Sequence, residues 1–414
     1  MTNRFDSTHN DKPLPLAGLR VVDVGWVWAI PVVGHILADM GAQVIKVESR
    51  DRLDMMRQPL PGMNADPDPD SAVGFHILHR GKMGITLNLR PEEGKTLLKR
   101  LVAISDVVIE NFSPGTMERL GVGFEELKKV NPSLVMLSVS TIGQTGPLSN
   151  TPTFSPCAGA LSGLETLVGY EGDETLGSGL AFGDPATALH GVFALLAALE
   201  HRDRTGEGQH IDASLAETGV SFCAEPLMDY QWNRRIWGPL GNNEPGFAPH
   251  NTYPCNGDDT WVAIAIGTEP EWQRVRTMLG NPDWGKDPRF TDQFSRWKNR
   301  VKLDELVGQW TALQDRDDLA ERLQAAAIAA SPAYKQSELF DHEHHKRRNN
   351  FVTLDHPKFP AEKVYGLFWQ LSTTPGSIRR HAPLLGEHNA EVYENLLGIS
   401  KQELQRLIES GALR

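Results

Sequence analysis

The sequence predicts an α/β protein whose larger part is a Rossmann-like domain built on a parallel sheet. Three observations predict it. Leu19–Val24, Trp26–Met40 and Gln43–Val47 read as a short apolar strand, an apolar helix and a second strand, and such a β-α-β unit sets its two strands parallel in one sheet. Further short strands follow at Ile85–Leu89, Asp106–Glu110 and Leu134–Val139, interleaved with a helix opened by Pro91 and a helix start at Thr116–Arg119. A chain of 414 residues also has room for a second domain.

Taken in order, the first turn reads GWVWAIPVVG and lacks the GxGxxG that closes on a dinucleotide, so no nicotinamide or flavin is expected despite the fold. Asp51–Ser71, rich in Pro, Asp and Met, reads as a surface loop. In an open parallel sheet, ligands bind beyond the carboxyl ends of the strands. Glu48–Arg50, Asn111–Gly115 and Ser140–Gly146 lie at such ends and are candidate binding loops. Gln209–Ala213 is another strand. Glu225–Asn251, with irregular Trp, Gly and Pro, reads as a crossing linker. Thr260–Ile266 is a strand, and Glu269–Leu279 and Val301–Ala330 are helices of a smaller domain. The expected division is 1–224 for the first part of the large domain, 225–330 for linker and small domain, and 331–414 for the return that completes the large domain.

The totals exclude several classes. A net charge of −12 argues against nucleic-acid or membrane partners. The polar N-terminus carries no apolar signal segment and no apolar run is long enough to span a bilayer, so a cytoplasmic location is expected. Cys157, Cys223 and Cys255 are too few and too scattered for a disulfide framework. The His342–His345 run matches no metal-ligand spacing, and no metal is expected.

The most informative stretch is Gly179–Glu217. Asp184 precedes Pro185 and a helix running to Arg202, with Leu189, Val192, Phe193, Leu196 and Leu199 at helical spacing. Pro suits a first helical position and Asp the position before it. Asp184 is thus expected to cap a buried helix whose N-terminus keeps the carboxylate ionised, as a nucleophile requires.

Five segments together carry a family resemblance: PLAGLRVVDV, LADMGAQVIKVES, DVVIENFSPGTMERLG, the run from GLAFGD to RTGEGQ, and RRHAPLLGEH. They resemble the class III CoA-transferases, in the family's order and over nearly the whole chain. The resemblance implies a large Rossmann-like domain made from both chain ends, a small inserted α+β domain, and two chains interlocked as rings. It implies that coenzyme A enters as an acyl-CoA substrate rather than a bound cofactor, and that Asp184 is the nucleophile. The positions matching the family's CoA contacts are Glu48, Arg50, His79, Arg80, Gly81, Lys82, Asn111, Phe112, Arg119 and Leu120. Arg50, Arg80, Lys82 and Arg119 suit the CoA phosphates. Glu387-His388 belong to the C-terminal signature, with packing expected.

Departures from the oxalate-specific pattern concern the acid. Trp26 and Trp28 stand where those enzymes have His and Gln, and Ser140 and Ile142 where they have Lys and Tyr. The segment from Trp237 to Gly246 lacks their run of glycines. A larger, partly apolar acid is expected, with succinyl-CoA as donor. The related α-methylacyl-CoA racemases need a second base, a His ahead of the aspartate; Thr151–Ser155 contains none. A homodimer is expected, with a heteromer with a related subunit as the alternative.

Overall fold

A computed structural model describes residues 14–59 and 66–414. Most of the polar N-terminus and the middle of the Asp51–Ser71 loop lie outside the described residues. The chain forms two compact units, one of described residues up to Glu165 with Ser178–Arg235 and Lys346–Arg414, the other of Thr166–Gly177 and Ile236–His345.

The larger unit is organised by six strands: β1 (Arg20–Asp23), β2 (Gln43–Glu48), β3 (Met83–Thr86), β4 (Val107–Glu110), β5 (Val135–Ser140) and β6 (His210–Ser214). They pair in the order β3-β2-β1-β4-β5-β6, every pair parallel. That is the doubly wound Rossmann order, with its switch point between β1 and β4. The helices of this unit are α1 (Ala29–Asp39), α2 (Val73–His79), α3 (Glu92–Val102), α4 (Thr116–Arg119), α5 (Phe124–Lys128), α6 (Ser155–Ser162), α7 (Gly183–Thr205), α8 (Leu215–Ser221) and α9 (Ala224–Asn233).

The strands read as nearly continuous apolar runs because both faces of the sheet are covered. Val21, Val44, Val107, Ile109, Val135 and Leu137 point into one core with residues of α1, α2 and α7. Their neighbours Val22, Ile45, Val108 and Met136 point into a second core with residues of α3 and the C-terminal segment.

The second unit sets β7 (His250–Pro254) and β8 (Trp261–Ala265) against helices α10 (Glu269–Met278), α11 (Gln293–Lys298), α12 (Arg300–Thr311) and α13 (Arg316–Ala325), with β9 (Ala329–Ala333) completing an antiparallel sheet. Trp272, Val275, Leu303, Leu319 and Leu323 fill its core.

Three expectations are corrected here. The long helix over 301–330 breaks, because the Asp315 carboxylate accepts the N–H groups of Asp317 and Asp318 and starts α13 afresh. The smaller unit extends past 330, because β9 pairs along β8. The linker begins later than 225, because Ala224–Asn233 is helical and belongs to the larger unit.

Beyond the short helices α14 (Gln336–Leu339) and α15 (Glu343–Arg347), the return segment forms the hairpin β10 (Phe351–Leu354) and β11 (Glu362–Tyr365), and later the helix α16 (Lys401–Glu409). Between hairpin and helix it lies along the open edge of β3. The Gly84 N–H donates to His388 Nδ1 at 3.1 Å, the His388 N–H to the Gly84 carbonyl at 2.9 Å, and the Thr86 N–H to Asn389 Oδ1 at 2.9 Å. His388 thus seals a sheet edge. Among the described residues no helix is long and apolar enough to cross a membrane.

Candidate active site

The turn from β1 into α1 is where the sequence lacks the GxGxxG pattern, and the structure shows how it closes without it. The Gly25 N–H donates to Asp23 Oδ1 at 2.9 Å, and Lys46 Nζ donates to the Gly25 carbonyl. The Trp26 N–H donates to Asn111 Oδ1 and Asn111 Nδ2 donates back to the Trp26 carbonyl, both at 2.7 Å. The Val27 N–H donates to the Asp54 carboxylate at 3.2 and 3.3 Å. Four side chains from β1, β2, the end of β4 and a loop therefore hold the backbone of three residues. Val27 has φ +64°, a left-handed conformation that a β-branched residue adopts only under constraint. This is why α1 begins at Ala29 and not at Trp26.

The other half of the site is the start of α7. Gly183 joins the helix and Phe182 occupies the cap position, so Asp184 lies in the first turn rather than before it. The expected capping role is corrected: Pro185 needs no N–H partner anywhere in the first turn, so Pro does not fix the first position. Helix α7 runs on to Thr205, where Gly206 at φ +79° supplies the left-handed stop.

Asp184 is partly buried, and burial pushes its carboxyl above the ordinary carboxylate range. The Ser155 hydroxyl, the Ala29 N–H and its own N–H pull the other way. The helix end thus tempers desolvation without overcoming it, which corrects the expectation of a carboxylate simply stabilised by its helix. Among the described residues the buried Ser155 Oγ makes no hydrogen bond of ordinary geometry, which leaves the Asp184 carboxylate as the group it serves.

Of the apolar stripe read on α7, Leu199 is buried and Val192 half-buried, but the rest turns outward. Thr187, Ala188, Gly191, Leu195 and Ala198 are buried, whereas Leu189, Phe193 and Leu196 are exposed, Phe193 by 76%. A Cβ at position 191 would lie 3.1 Å from Leu137 Cδ2, so glycine lets the helix approach β5 closely. Small residues, with Leu195 and Leu199, face the core, and Leu189, Phe193 and Leu196 face away.

The expected CoA contacts divide in two. Glu48 is buried and gripped by Arg57 through two bonds of 2.8 Å. Arg80 is buried, 2.9 Å from Asp39 and 4.2 Å above the Tyr365 ring. Lys82 is buried against Asp23 at 2.7 Å, with its ammonium pulled down to about 8 by desolvation. His79 is buried, stacked on Phe75 at 3.9 Å, and desolvation holds it well below the ordinary histidine value. These four lie inside the fold, so a phosphate role for Arg80 and Lys82 gives way to pairing with Asp39 at the end of α1 and Asp23 at the end of β1.

The others lie nearer the surface. Arg50 is exposed and donates to the Leu385 carbonyl at 3.1 Å, and Arg119 is exposed and donates to Thr116 Oγ1 at 2.8 Å. Gly81 and Leu120 are half-buried, Gly81 at φ +80°. Asn111 and Phe112 meet Trp26: the Phe112 and Trp26 rings stand edge to face at 5.9 Å, with the Arg52 guanidinium 4.7 Å from the indole centroid. Trp28 is half-buried against the core beside α1. Ser140 is buried and its Oγ accepts the Gly143 N–H at 3.0 Å, shaping the loop that carries half-buried Ile142.

Asp54 was hidden from sequence reasoning. Its signal, an Asp three residues before an Arg just past a buried strand, is too general to stand out in a loop read as surface.

A doubly wound sheet whose first turn is tied by side chains, with a carboxylate set against the N-terminus of its first helix, belongs to an α/β enzyme other than a dinucleotide oxidoreductase. CoA-transferase family III matches residues 16–389, and the chain belongs to that family. It is a CoA-transferase, moving CoA between an acyl-CoA and a carboxylate. It is 33% identical over 395 residues to succinyl-CoA–D-citramalate CoA-transferase of Chloroflexus aurantiacus, covering 95% of this chain and 97% of that protein. It is 35% identical over 399 residues to the beta subunit of succinyl-CoA–L-malate CoA-transferase of the same organism, covering 95% and 97%. A solved structure of a CaiB/BaiF family protein from Brucella suis superposes with TM-score 0.85 at 33% identity, covering 93% of this chain and all of that one.

Proposed function

We propose that Asp184 carries the transferred groups covalently and that the donor is succinyl-CoA. The Asp184 carboxylate attacks the thioester carbonyl and expels CoA thiolate, leaving an acyl aspartyl anhydride. The thiolate attacks the aspartyl carbonyl of that anhydride, releasing the donor acid and leaving an aspartyl-CoA thioester. The acceptor carboxylate then attacks this thioester, and the thiolate returns to the acceptor acyl group, freeing Asp184. One thioester replaces another, so no external energy source is consumed.

The observation that carries this reading is the environment of Asp184. It is a partly desolvated carboxylate with the Ala29 N–H and the Ser155 hydroxyl beside it. Desolvation sharpens a carboxylate nucleophile, and fixed N–H groups suit the oxyanion that forms on its own carbonyl in the second step. Succinyl-CoA as donor is supported by the relatives, which pair it with D-citramalate and L-malate. Trp26 and Trp28 at the α1 turn support an acceptor larger and more apolar than oxalate. CoA extends over Gly81, Asn111, Phe112, Arg119, Leu120 and Arg50, the matching positions left at or near the surface.

The exposed large residues of α7, with Phe154, Phe182, Phe222 and Trp232 exposed in the same unit, support coverage by a second copy of the chain. The relatives that are alpha and beta subunits of one enzyme favour a second reading, pairing with a related chain. The test is intact-protein mass spectrometry after incubation with succinyl-CoA. An adduct of CoA or succinyl mass maps to Asp184 and is absent from Asp184→Ala, which still folds. Transfer at the parent rate by Asp184→Ala refutes the mechanism.

A further inference from the structure

The Ala29 N–H beside Asp184 is the first of α1, and two residues earlier the chain is strained at Val27. Nothing in valine favours φ +64°, so its surroundings impose it. Asp54 holds it there. The Asp54 side chain is fully buried, and its carboxylate accepts the Val27 N–H through both oxygens and the Met56 N–H at 2.9 Å. Lys46 Nζ stands 4.0 Å from one oxygen and His79 Nε2 3.9 Å from the same one. Among the described residues His79 Nε2 has no hydrogen-bond partner, and Lys46 also holds the Gly25 carbonyl. The carboxylate is therefore anchored from below and reaches up to a single strained amide.

We propose that Asp54 is a positioning residue: its buried carboxylate clamps the Val27 amide and thereby fixes the turn that aims the Ala29 N–H at the Asp184 carboxylate. Only the kinetic arm of its test rests on the transferase reading above. Asp54 touches neither Asp184 nor substrate; it acts through the backbone of Val27, Trp28 and Ala29. Without the clamp, valine relaxes toward negative φ, the first amide of α1 swings, and Asp184 loses a donor to its ionised form.

A through-space action of Asp54 has the opposite sign. Deleting a nearby negative charge lowers the pKa of another carboxyl, whereas losing an N–H donor raises it. The experiment follows carbodiimide labelling of Asp184 with glycinamide against pH, read by peptide mapping, in the parent, Asp54→Ala and Asp54→Asn; it needs no substrate. The labelling midpoint moves up by about one pH unit in Asp54→Ala and returns close to the parent value in Asp54→Asn, whose amide oxygen still accepts the Val27 N–H. Exchange of labelled succinate into succinyl-CoA falls on the order of a hundredfold in kcat for Asp54→Ala, with KM for the thioester little changed, and by less than tenfold for Asp54→Asn. An unchanged or lowered midpoint in folded Asp54→Ala overturns the proposal, whatever the exchange assay gives.

Should Asp54→Ala not fold, amide exchange on the parent protein decides. A clamped Val27 N–H exchanges at least about a hundredfold more slowly than an open amide, and free exchange at Val27 overturns the clamp.

Discussion

Asn111→Ala separates two roles that its position allows. As a ligand contact, Asn111 would matter only when CoA is present. In the structure its side chain is already spent on the Trp26 backbone, donating one bond and accepting another at 2.7 Å. Each such bond contributes about 1 kcal/mol net, and leaving both half-buried partners unmade brings the loss to about 2–3 kcal/mol. The loss belongs to the larger unit, because Asn111 and Trp26 join the ends of β4 and β1. Hydrogen exchange of β1 and β4 peptides through a urea series reads it as a lower midpoint without CoA. Asn111→Asp is no better than alanine near neutral pH, since a carboxylate accepts from the Trp26 N–H but offers nothing to the Trp26 carbonyl. A parent-like midpoint in Asn111→Ala, with CoA binding weakened instead, would refute the turn-holding role and restore the contact role.

Three further outcomes are expected. Burial holds His35 neutral, with a pKa of about 4 against 6.5 unfolded; its contribution is complete above 6.5 and is lost as pH falls, by about 2 kcal/mol at pH 5, so His35→Gln should show a correspondingly shallower acid loss in urea titrations. Equal pH dependence in the two proteins would sink that linkage. Gly191→Val drives methyls toward Leu137 and costs about 2 kcal/mol in urea unfolding, whereas Gly191→Ala stays within about 1 kcal/mol because its helix propensity offsets the tight contact. Phe193→Glu puts a charge on the exposed face of α7; light scattering should show the parent assembly dissociating, and a parent that already runs as one chain would remove the case for a covering copy.

The sheet was legible because its strands are apolar on both faces and sit between recognisable helices; the β1-α1-β2 unit reads directly from LRVVDV and QVIKV. Helix α7 was legible as a helix but not in its orientation. Periodicity shows that an apolar stripe exists, but of the one marked on α7 only Leu199 is buried and Val192 half-buried, while Thr187, Ala188, Gly191, Leu195 and Ala198 supply the rest of the inner face. Charged residues misled for a related reason. Glu48, Arg80 and Lys82 read as CoA contacts because charges are seldom fully buried, and only the fold shows that Arg57, Asp39 and Asp23 come to meet them. Asp184 stood out from its place before Pro185 and from the resemblance, and its role as nucleophile stays a proposal; its neighbours Ala29 and Ser155 did not stand out, because they come from distant parts of the chain.

Dinucleotide enzymes with this strand order leave the N-terminus of the first helix open, and a visiting pyrophosphate completes it. Here the chain fills that electropositive mouth with an acid of its own. The protein thus carries a carboxyl group of its own where a Rossmann enzyme would recruit an anion. On the proposed mechanism, a nucleotide-bearing substrate keeps its phosphates away from that end and presents its acyl carbon there instead.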